Sequence, residues 1–190
     1  MNHKGTMSLV GENIILRRFN PEDVKDAFKN YYNNPLNFKY EFKKGVKTYD
    51  ELTTIINKKL DNYNRTNYYD YIITLNDNKV VGEVSVPFYN DLLKTIELNL
   101  ILDRNYNNYA KEILNLIFEF LFEEVNANRI EFKVLLDNEN LNNLLLENNI
   151  YKEGILREKF LNSDKKLVDC NLYSILRREF NENSCFNSNI

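Results

Sequence analysis

Between Thr95 and Val134 the spacing of hydrophobic and polar positions changes period twice. Ile96, Leu98, Leu100 and Leu102 alternate with Glu97, Asn99 and Ile101, the period of a strand with one strongly apolar face. After the polar run Asp103 to Asn108, the residues Ile113, Leu114, Leu116, Ile117, Phe118, Phe120, Leu121 and Phe122 leave polar surface mainly at Lys111, Glu112, Asn115, Glu119 and Glu123. This predicts a helix from about Tyr109 to Val125, buried along most of its girth, as a helix lying across a sheet would be. Asn126 to Asn128 supplies a polar stop, where asparagine takes a left-handed backbone at modest cost, and Arg129 to Val134 alternates again as a strand. A strand that turns tightly into a helix and returns to a strand aims backbone N–H groups at an anionic ligand. The site is expected in this unit.

The flanking segments can be assigned in the same way. Gly11 to Phe19 predicts a first strand, and Asn20-Pro21-Glu22-Asp23 a helix start with Asn20 as N-cap and proline at the first helical position. Val24, Ala27, Phe28, Tyr31 and Tyr32 follow at core spacing until Asn33-Asn34-Pro35. Thr48-Tyr49-Asp50-Glu51 is a capping-box pattern opening a second helix through Leu52, Ile55, Ile56 and Leu60. Strands are expected over Tyr69 to Leu75 and Lys79 to Pro87, around the hairpin turn Asn76-Asp77-Asn78. Asp137 to Asn140 caps a short helix carrying Leu141, Leu144, Leu145 and Leu146, which Asn148-Asn149 stops. Two last strands, Tyr151 to Leu161 and Lys166 to Leu176, flank the turn Asn162-Ser163-Asp164. One domain over 9–180 is expected, with an N-terminal arm at 1–8 and a polar, flexible tail at 181–190.

Composition narrows the functional classes. A chain of 190 residues with 43% hydrophobic content suits one domain with a sizeable core. The net charge of −3 and pI near 5.4 argue against a dedicated nucleic-acid binder, which needs a basic face. No apolar run approaches the roughly 20 residues that span a bilayer, and the N-terminus lacks a signal-peptide core, so a cytoplasmic protein without membrane attachment is expected. Cys170 and Cys185 form no disulfide or metal pattern. His3 is the only histidine and falls in an end expected to be loose, which argues against Ser-His or Cys-His catalysis and His-based zinc sites; no metal site is expected. Asparagine is abundant and scattered while glycine numbers 5, a compositional bias under which Asn stands where other chains use Gly.

Several short pieces then carry a resemblance. Gly11-Glu12-Asn13-Ile14-Ile15-Leu16-Arg17 with Pro21-Glu22-Asp23, Val81-Gly82-Glu83-Val84-Ser85, Asn128-Arg129-Ile130-Glu131, Glu153-Gly154-Ile155-Leu156-Arg157-Glu158, Asp169 and Tyr173-Ser174-Ile175-Leu176 occur in a specific order and spacing. Together, from Leu9 to Phe180, they resemble the GNAT superfamily of acyl-CoA-dependent N-acetyltransferases, in particular the ribosomal-protein N-terminal acetyltransferase branch. The resemblance implies an α/β (α+β) GNAT fold: a central mixed, mostly antiparallel seven-stranded sheet with about four helices and a V-shaped splay between the fourth and fifth strands. It also implies transfer of an acetyl group from acetyl-CoA to a primary amine by direct attack.

Site roles follow from the resemblance. The cofactor would be held by Leu100, Leu102, Arg104, Asn105, Asn107, Asn108, Tyr109, Ala110 and Asn138, with the pyrophosphate at the helix start and the thioester oxygen at a backbone N–H near Asn99 and Leu100. Glu97 would be the general base, its alternative being an ordinary solvated strand carboxylate. Asn138 matches the family's pantetheine-contacting Asn and is also an N-cap. Departures are clear. The family loop reads Gln or Arg, two residues, Gly, one residue, Gly or Ala; here Asn105 and Asn108 occupy the first two marked positions, Ala110 alone matches, and Arg104 lies one residue early. A left-handed Asn108 would preserve the turn, although its Cβ and amide occupy space near a phosphate. Leu141 stands where the family has a serine, leaving Tyr106 or Tyr109 as alternative proton donors or plain packing aromatics, while Cys170 is expected as a buried small hydrophobe.

Two functions stay open: an acetyltransferase acting on a protein N-terminus, aminoglycoside-like amine or polyamine, or a GNAT-fold binding or assembly module that has lost catalysis. A homodimer is compatible with the family's habits. The acceptor would be set by the loops Asn34 to Lys47, Phe88 to Lys94 and Asn162 to Lys165.

Overall fold

The computed structural model describes residues 1–39, 45–161 and 166–187. Eight strands form one sheet: β1 (Leu9–Val10), β2 (Ile14–Arg17), β3 (Asp70–Leu75), β4 (Val80–Asn90), β5 (Thr95–Leu102), β6 (Arg129–Leu135), β7 (Tyr151–Leu161) and β8 (Leu167–Leu176), in spatial order β1-β2-β3-β4-β5-β6-β8-β7. Every neighbouring pair is antiparallel except β5 and β6, which are parallel and connected through a helix. The helices are α1 (Asp23–Ala27), α2 (Tyr49–Asn62), α3 (Ala110–Glu119), which runs on through a π-helical last turn at Phe120–Glu124, α4 (Glu139–Glu147) and α5 (Arg177–Asn187).

The mixed, mostly antiparallel sheet agrees with expectation, but the counts of seven strands and about four helices do not: among the described residues there are eight and five. The extra strand arises at Gly11, whose N–H donates to the Ile14 carbonyl at 2.9 Å and folds Leu9–Val10 back on β2. The extra helix, α5, begins at Arg177 and runs to Asn187, into the segment expected as a polar tail. Leu176 N–H donates to Glu179 Oε2 at 2.8 Å, and the Phe180 ring meets Phe118 and Phe122 at 6.1 and 5.5 Å, tying the start of α5 to the core. The turn expected at Asn162-Ser163-Asp164 lies outside the described residues.

Helix ends follow their local chemistry, with one exception. Thr48 Oγ1 accepts from Glu51 N–H at 3.2 Å, while the Glu51 carboxylate accepts from Lys47 N–H at 2.7 Å, so α2 opens on a capping pair as expected. At α1 the expected Asn20 cap is reversed. Asp23 Oδ2 accepts from Asn20 N–H at 2.7 Å while Arg17 clamps both Asp23 oxygens at 2.8 Å, and the helix starts two residues later than Pro21 suggested. Asn126 and Asn149 end their helices with φ of 63° and 60°, and Asn78 turns its hairpin with φ of 68°. Here asparagine performs the turn that glycine usually makes.

Two apolar clusters sandwich the sheet. One joins α3 and α4 to Ile96, Leu98, Leu100, Leu102, Ile130, Phe132, Val134, Tyr173 and Ile175; the other joins α1 and α2 to Phe19, Ile72, Val80 and Ile101. The second encloses a charge network. Buried Lys59 donates to both Asp70 oxygens at 2.6 and 2.7 Å and approaches Glu83 Oε2 at 3.5 Å, while Tyr32 donates to that same Glu83 oxygen at 2.8 Å. Burial alone would lower the Lys59 pKa, but Glu83 and Asp70 more than offset it, so the ammonium is favoured. The N-terminal arm, expected to be loose, is tied down. Asn2 N–H donates to the Val125 carbonyl at 2.7 Å, and His3 lies 2.9 Å from Tyr69 OH and 3.1 Å from Asp91 Oδ1.

Removing one member of the network should cost much more than removing all of it. Lys59→Met is expected to destabilise by about 3–5 kcal/mol, and the triple change Lys59→Met, Asp70→Asn, Glu83→Gln to recover most of that loss; urea midpoints at constant slope measure both. Gly82→Ala should cost about 1–3 kcal/mol by the same measurement. Its Cβ would stand 2.6 Å from the Ile101 carbonyl oxygen, a backbone atom of β5.

Candidate active site

The site is built on the second half of β5. Pairing of β5 with β6 runs from Thr95 with Arg129 to Leu98 with Phe132 and then stops. Beyond it, β5 continues along β4, from Asn99 opposite Ser85 to Leu102 opposite Gly82, while β6 continues along β8 to Leu135 opposite Cys170. The strands therefore part where the splay was expected, between the fifth and sixth strands counted here. Asp103 N–H donates to the Val81 carbonyl on β4 at 2.9 Å. By strand alternation the backbone groups of Leu102 and Leu100 point the other way, into the gap.

A groove occupies this gap. Leu36, Asn37, Leu100, Ile101, Leu102, Arg104, Asn138, Asn140, Leu141 and Leu144 line it. Of the sequence-predicted residues it gathers Leu100, Leu102, Arg104 and Asn138. Asn138 also caps α4 by accepting from Leu141 N–H at 3.2 Å, the N-cap expected of it.

The turn before α3 departs from expectation in its backbone. Residues Arg104–Tyr109 form a 3₁₀ turn, Tyr106 has φ −117° and ψ 16°, and none of Asn105, Asn107 and Asn108 has positive φ. A right-handed turn of this kind needs no glycine, so the anticipated left-handed Asn108 is corrected. Several donors are already engaged. Buried Asp103 accepts from both the backbone N–H and the side-chain amide of Asn105 at 2.9 Å, the Asp103 carbonyl accepts from Tyr106, and the Asn107 carbonyl accepts from Ala110, which opens α3. Asn107 Nδ2 donates to Asn140 Oδ1 on α4 at 2.7 Å, while the buried Asn107 Oδ1 has no hydrogen-bond partner among the described residues. Asn108 is exposed. Tyr106 and Tyr109 stack at 6.4 Å, with the Lys79 ammonium 5.2 Å over Tyr106, and neither lines the groove.

The field at the start of α3 depends on a distant turn. Glu112, in the first helical turn, accepts from Asn13 N–H and Nδ2 at 2.8 and 3.1 Å. Its carboxylate is thus drawn to the β1–β2 connection. Gly11 makes the approach feasible, since a Cβ there would sit 2.3 Å from Glu112 Oε1.

Glu97 lies on the sheet face opposite α3, beside Phe88 on β4 and Glu131 on β6. It makes an ion pair with Lys133, a residue the sequence reading did not single out, and the two side chains are 15% and 18% exposed. Farther along the face, Arg129 bridges Glu131 and Glu153 at 2.7 Å, and Ser174 Oγ donates to Glu153 at 2.6 Å. Buried Cys170 lies beside these groups. Burial pushes its thiol pKa up, and Lys133 and Glu97 are among its charged neighbours. Asn37 and Asn140 escaped the sequence because they meet the groove only through tertiary packing, and Lys133 escaped it because it meets Glu97 only once β5 and β6 are in register.

This geometry can be set beside known proteins. The family model described as "Acetyltransferase (GNAT) domain" matches residues 13–148. The uncharacterised N-acetyltransferase p20 of Bacillus licheniformis is 27% identical over 179 residues, covering 91% of this chain and 98% of that protein. The ribosomal-protein-S5-alanine acetyltransferase of Vibrio fischeri shares the fold at TM-score 0.76 and 16% identity, covering 92% of this chain and 98% of that one. The spermidine N-acetyltransferase of Vibrio cholerae, solved with CoA and spermine, does so at TM-score 0.70 and 21% identity, covering 88% and 97%. With more than half of its length matched by the family model and its central strands parting beside a helix start, the chain belongs to the GNAT acetyltransferase family.

Proposed function

We propose that this protein transfers an acetyl group from acetyl-CoA to a primary amine, either a protein N-terminus or a small amine. The observation that carries the reading is the open edge of β5 beyond Leu98, facing a groove lined by leucines and by Asn37, Arg104, Asn138 and Asn140. These residues fit a pantetheine arm, which offers amides and apolar carbons, while Arg104 supplies a cation for phosphate. The unsatisfied Asn107 Oδ1 adds an acceptor beside the same turn.

Acetyl-CoA supplies the activated acyl group, and the chain supplies the rest. The gap-facing N–H of Leu100 is the donor for charge developing on the thioester oxygen, a contribution of about 2.7–4 kcal/mol where such donors have been removed. Glu97 takes a proton from the acceptor, because an alkylammonium of ordinary pKa about 10.4 has no lone pair with which to attack. The names of the structural neighbours, one for a ribosomal-protein alanine and one for spermidine, keep both acceptor classes in scope.

One observation favours the second reading, a GNAT-fold module without catalysis. Asp103 brings a buried carboxylate to the turn where a diphosphate would bind and already holds the Asn105 N–H. Thermal shift separates the readings. Acetyl-CoA at 100 times its dissociation constant should stabilise by about 2.7 kcal/mol, and an unmoved Tm at millimolar acetyl-CoA would defeat acetyl transfer. Glu97→Gln should lower kcat by about 10²–10⁴-fold while leaving the acetyl-CoA shift in place. Unchanged turnover would remove Glu97 from the mechanism.

A further inference from the structure

Lys133 has no part in the mechanism above, yet its ammonium is in contact with Glu97. We propose that Lys133 is itself an acetyl acceptor, a self-acetylation site at the mouth of the splay between β5 and β6. This inference rests on the acetyl-transfer reading.

Placement supports it first. Leu98 with Phe132 is the last β5–β6 pair, so Lys133 is the first β6 residue past the point of divergence. Alternation puts its side chain on the same sheet face as Glu131 and Glu97. Preorganisation supports it second. The amine and the carboxylate that would take its proton already touch, and both side chains are mostly buried, so no diffusive encounter is needed. Reach supports it third. Lys133 directly follows the last paired residue, Phe132, where adjacent strands lie about 4.8 Å apart, and the long four-carbon lysine stem lets a rotamer change carry Nζ from Glu97 toward the open edge of Leu100.

The step balances with an acyl thioester as the co-reactant. The ammonium yields a proton to Glu97, and the freed Nζ lone pair attacks the acyl carbon. The C–N bond forms as the C–S bond breaks, and the thiolate departs. Of the two protons that nitrogen loses in total, one ends on the thiol and the other in solvent. The product amide has no charge to offer Glu97, so acetylation removes that carboxylate's internal counter-ion. Cys170, whose thiol is a second nucleophile on this face, is fully buried within β8.

The test uses the full chain incubated with acetyl-CoA, followed by intact mass and peptide mapping. Lys133 should acquire one acetyl group at least about 100-fold faster than Lys58, which is exposed on α2 and reports unassisted chemistry. The label should be lost in Lys133→Arg, slowed in Glu97→Gln, and resistant to hydroxylamine, which would cleave a thioester on Cys170. Labelling of Lys133 no faster than Lys58, labelling indifferent to Glu97→Gln, or a hydroxylamine-labile label would each overturn the proposal. A thermal shift with acetyl-CoA on the same sample distinguishes the failures. A shift without label on Lys133 defeats self-acetylation alone, whereas no shift defeats the acetyl-transfer reading together with it.

Discussion

The parallel register between β5 and β6 lasts for only a few residues, and the rest of the molecule is arranged around its ending. Each strand keeps its antiparallel partner on the other side, so the separation leaves an open edge of backbone groups on both strands, and the edge of β5 beyond Leu98 borders the groove. Such groups are costly to bury without partners. Leu141 and Leu144 of α4 share a core cluster with Leu100 and Leu102 and line the gap as a wedge, while the mouth stays polar at Arg104, Asn138 and Asn140. An edge that the fold itself does not pair is suited to an extended ligand with amides of its own.

The two faces of the sheet divide the work. The α3 side is hydrophobic from Ile96 through Leu102 and from Ile130 through Val134, which fixes register because a one-residue slip would turn every one of these side chains outward. Charge gathers on the opposite side. There, among the described residues, the ion-paired carboxylates Asp23, Asp70, Glu83, Glu97, Glu131 and Glu153 number six against the four cations Arg17, Lys59, Lys133 and Arg129. That imbalance favours an approaching ammonium over an anion. It complements a groove whose mouth carries Arg104, so the cationic and anionic partners of the proposed reaction meet different surroundings.

Much of the fold was legible because its signals are local. The period of β5, the girth of α3, the Thr48 cap and the asparagine stops at Asn126 and Asn149 depend on residues within a turn or two of one another, and the structure agrees with each. The strand Leu9–Val10 was missed because two residues are too few to show an alternating period, and the first strand was expected to begin only at Gly11. The docking of α5 was missed because Phe180 is a lone aromatic at the edge of a polar tail, and its partners lie sixty residues away in α3 and its last turn. Leu100, Leu102, Arg104 and Asn138, expected from the family resemblance, line the groove. Lys133 was hidden because its relation to Glu97 exists only after β5 and β6 are placed in register. The turn at Asn105 to Asn108 was expected to need an unusual backbone; Asp103, buried beneath it and bonded to Asn105, allows an ordinary right-handed one.

The contact between Asn13 and Glu112 makes the N-terminal strand pair a participant in the electrostatic potential at the start of α3. A glutamate in the first turn of α3 would otherwise be free to lower the positive potential that a helix start presents to phosphate. Here a side-chain amide and a backbone donor ninety-nine residues upstream draw the carboxylate aside, and the missing Cβ of Gly11 leaves room for it. The potential at the helix start is therefore partly a property of a surface turn outside the groove, and a survey of substitutions confined to groove-lining residues would overlook one of its determinants.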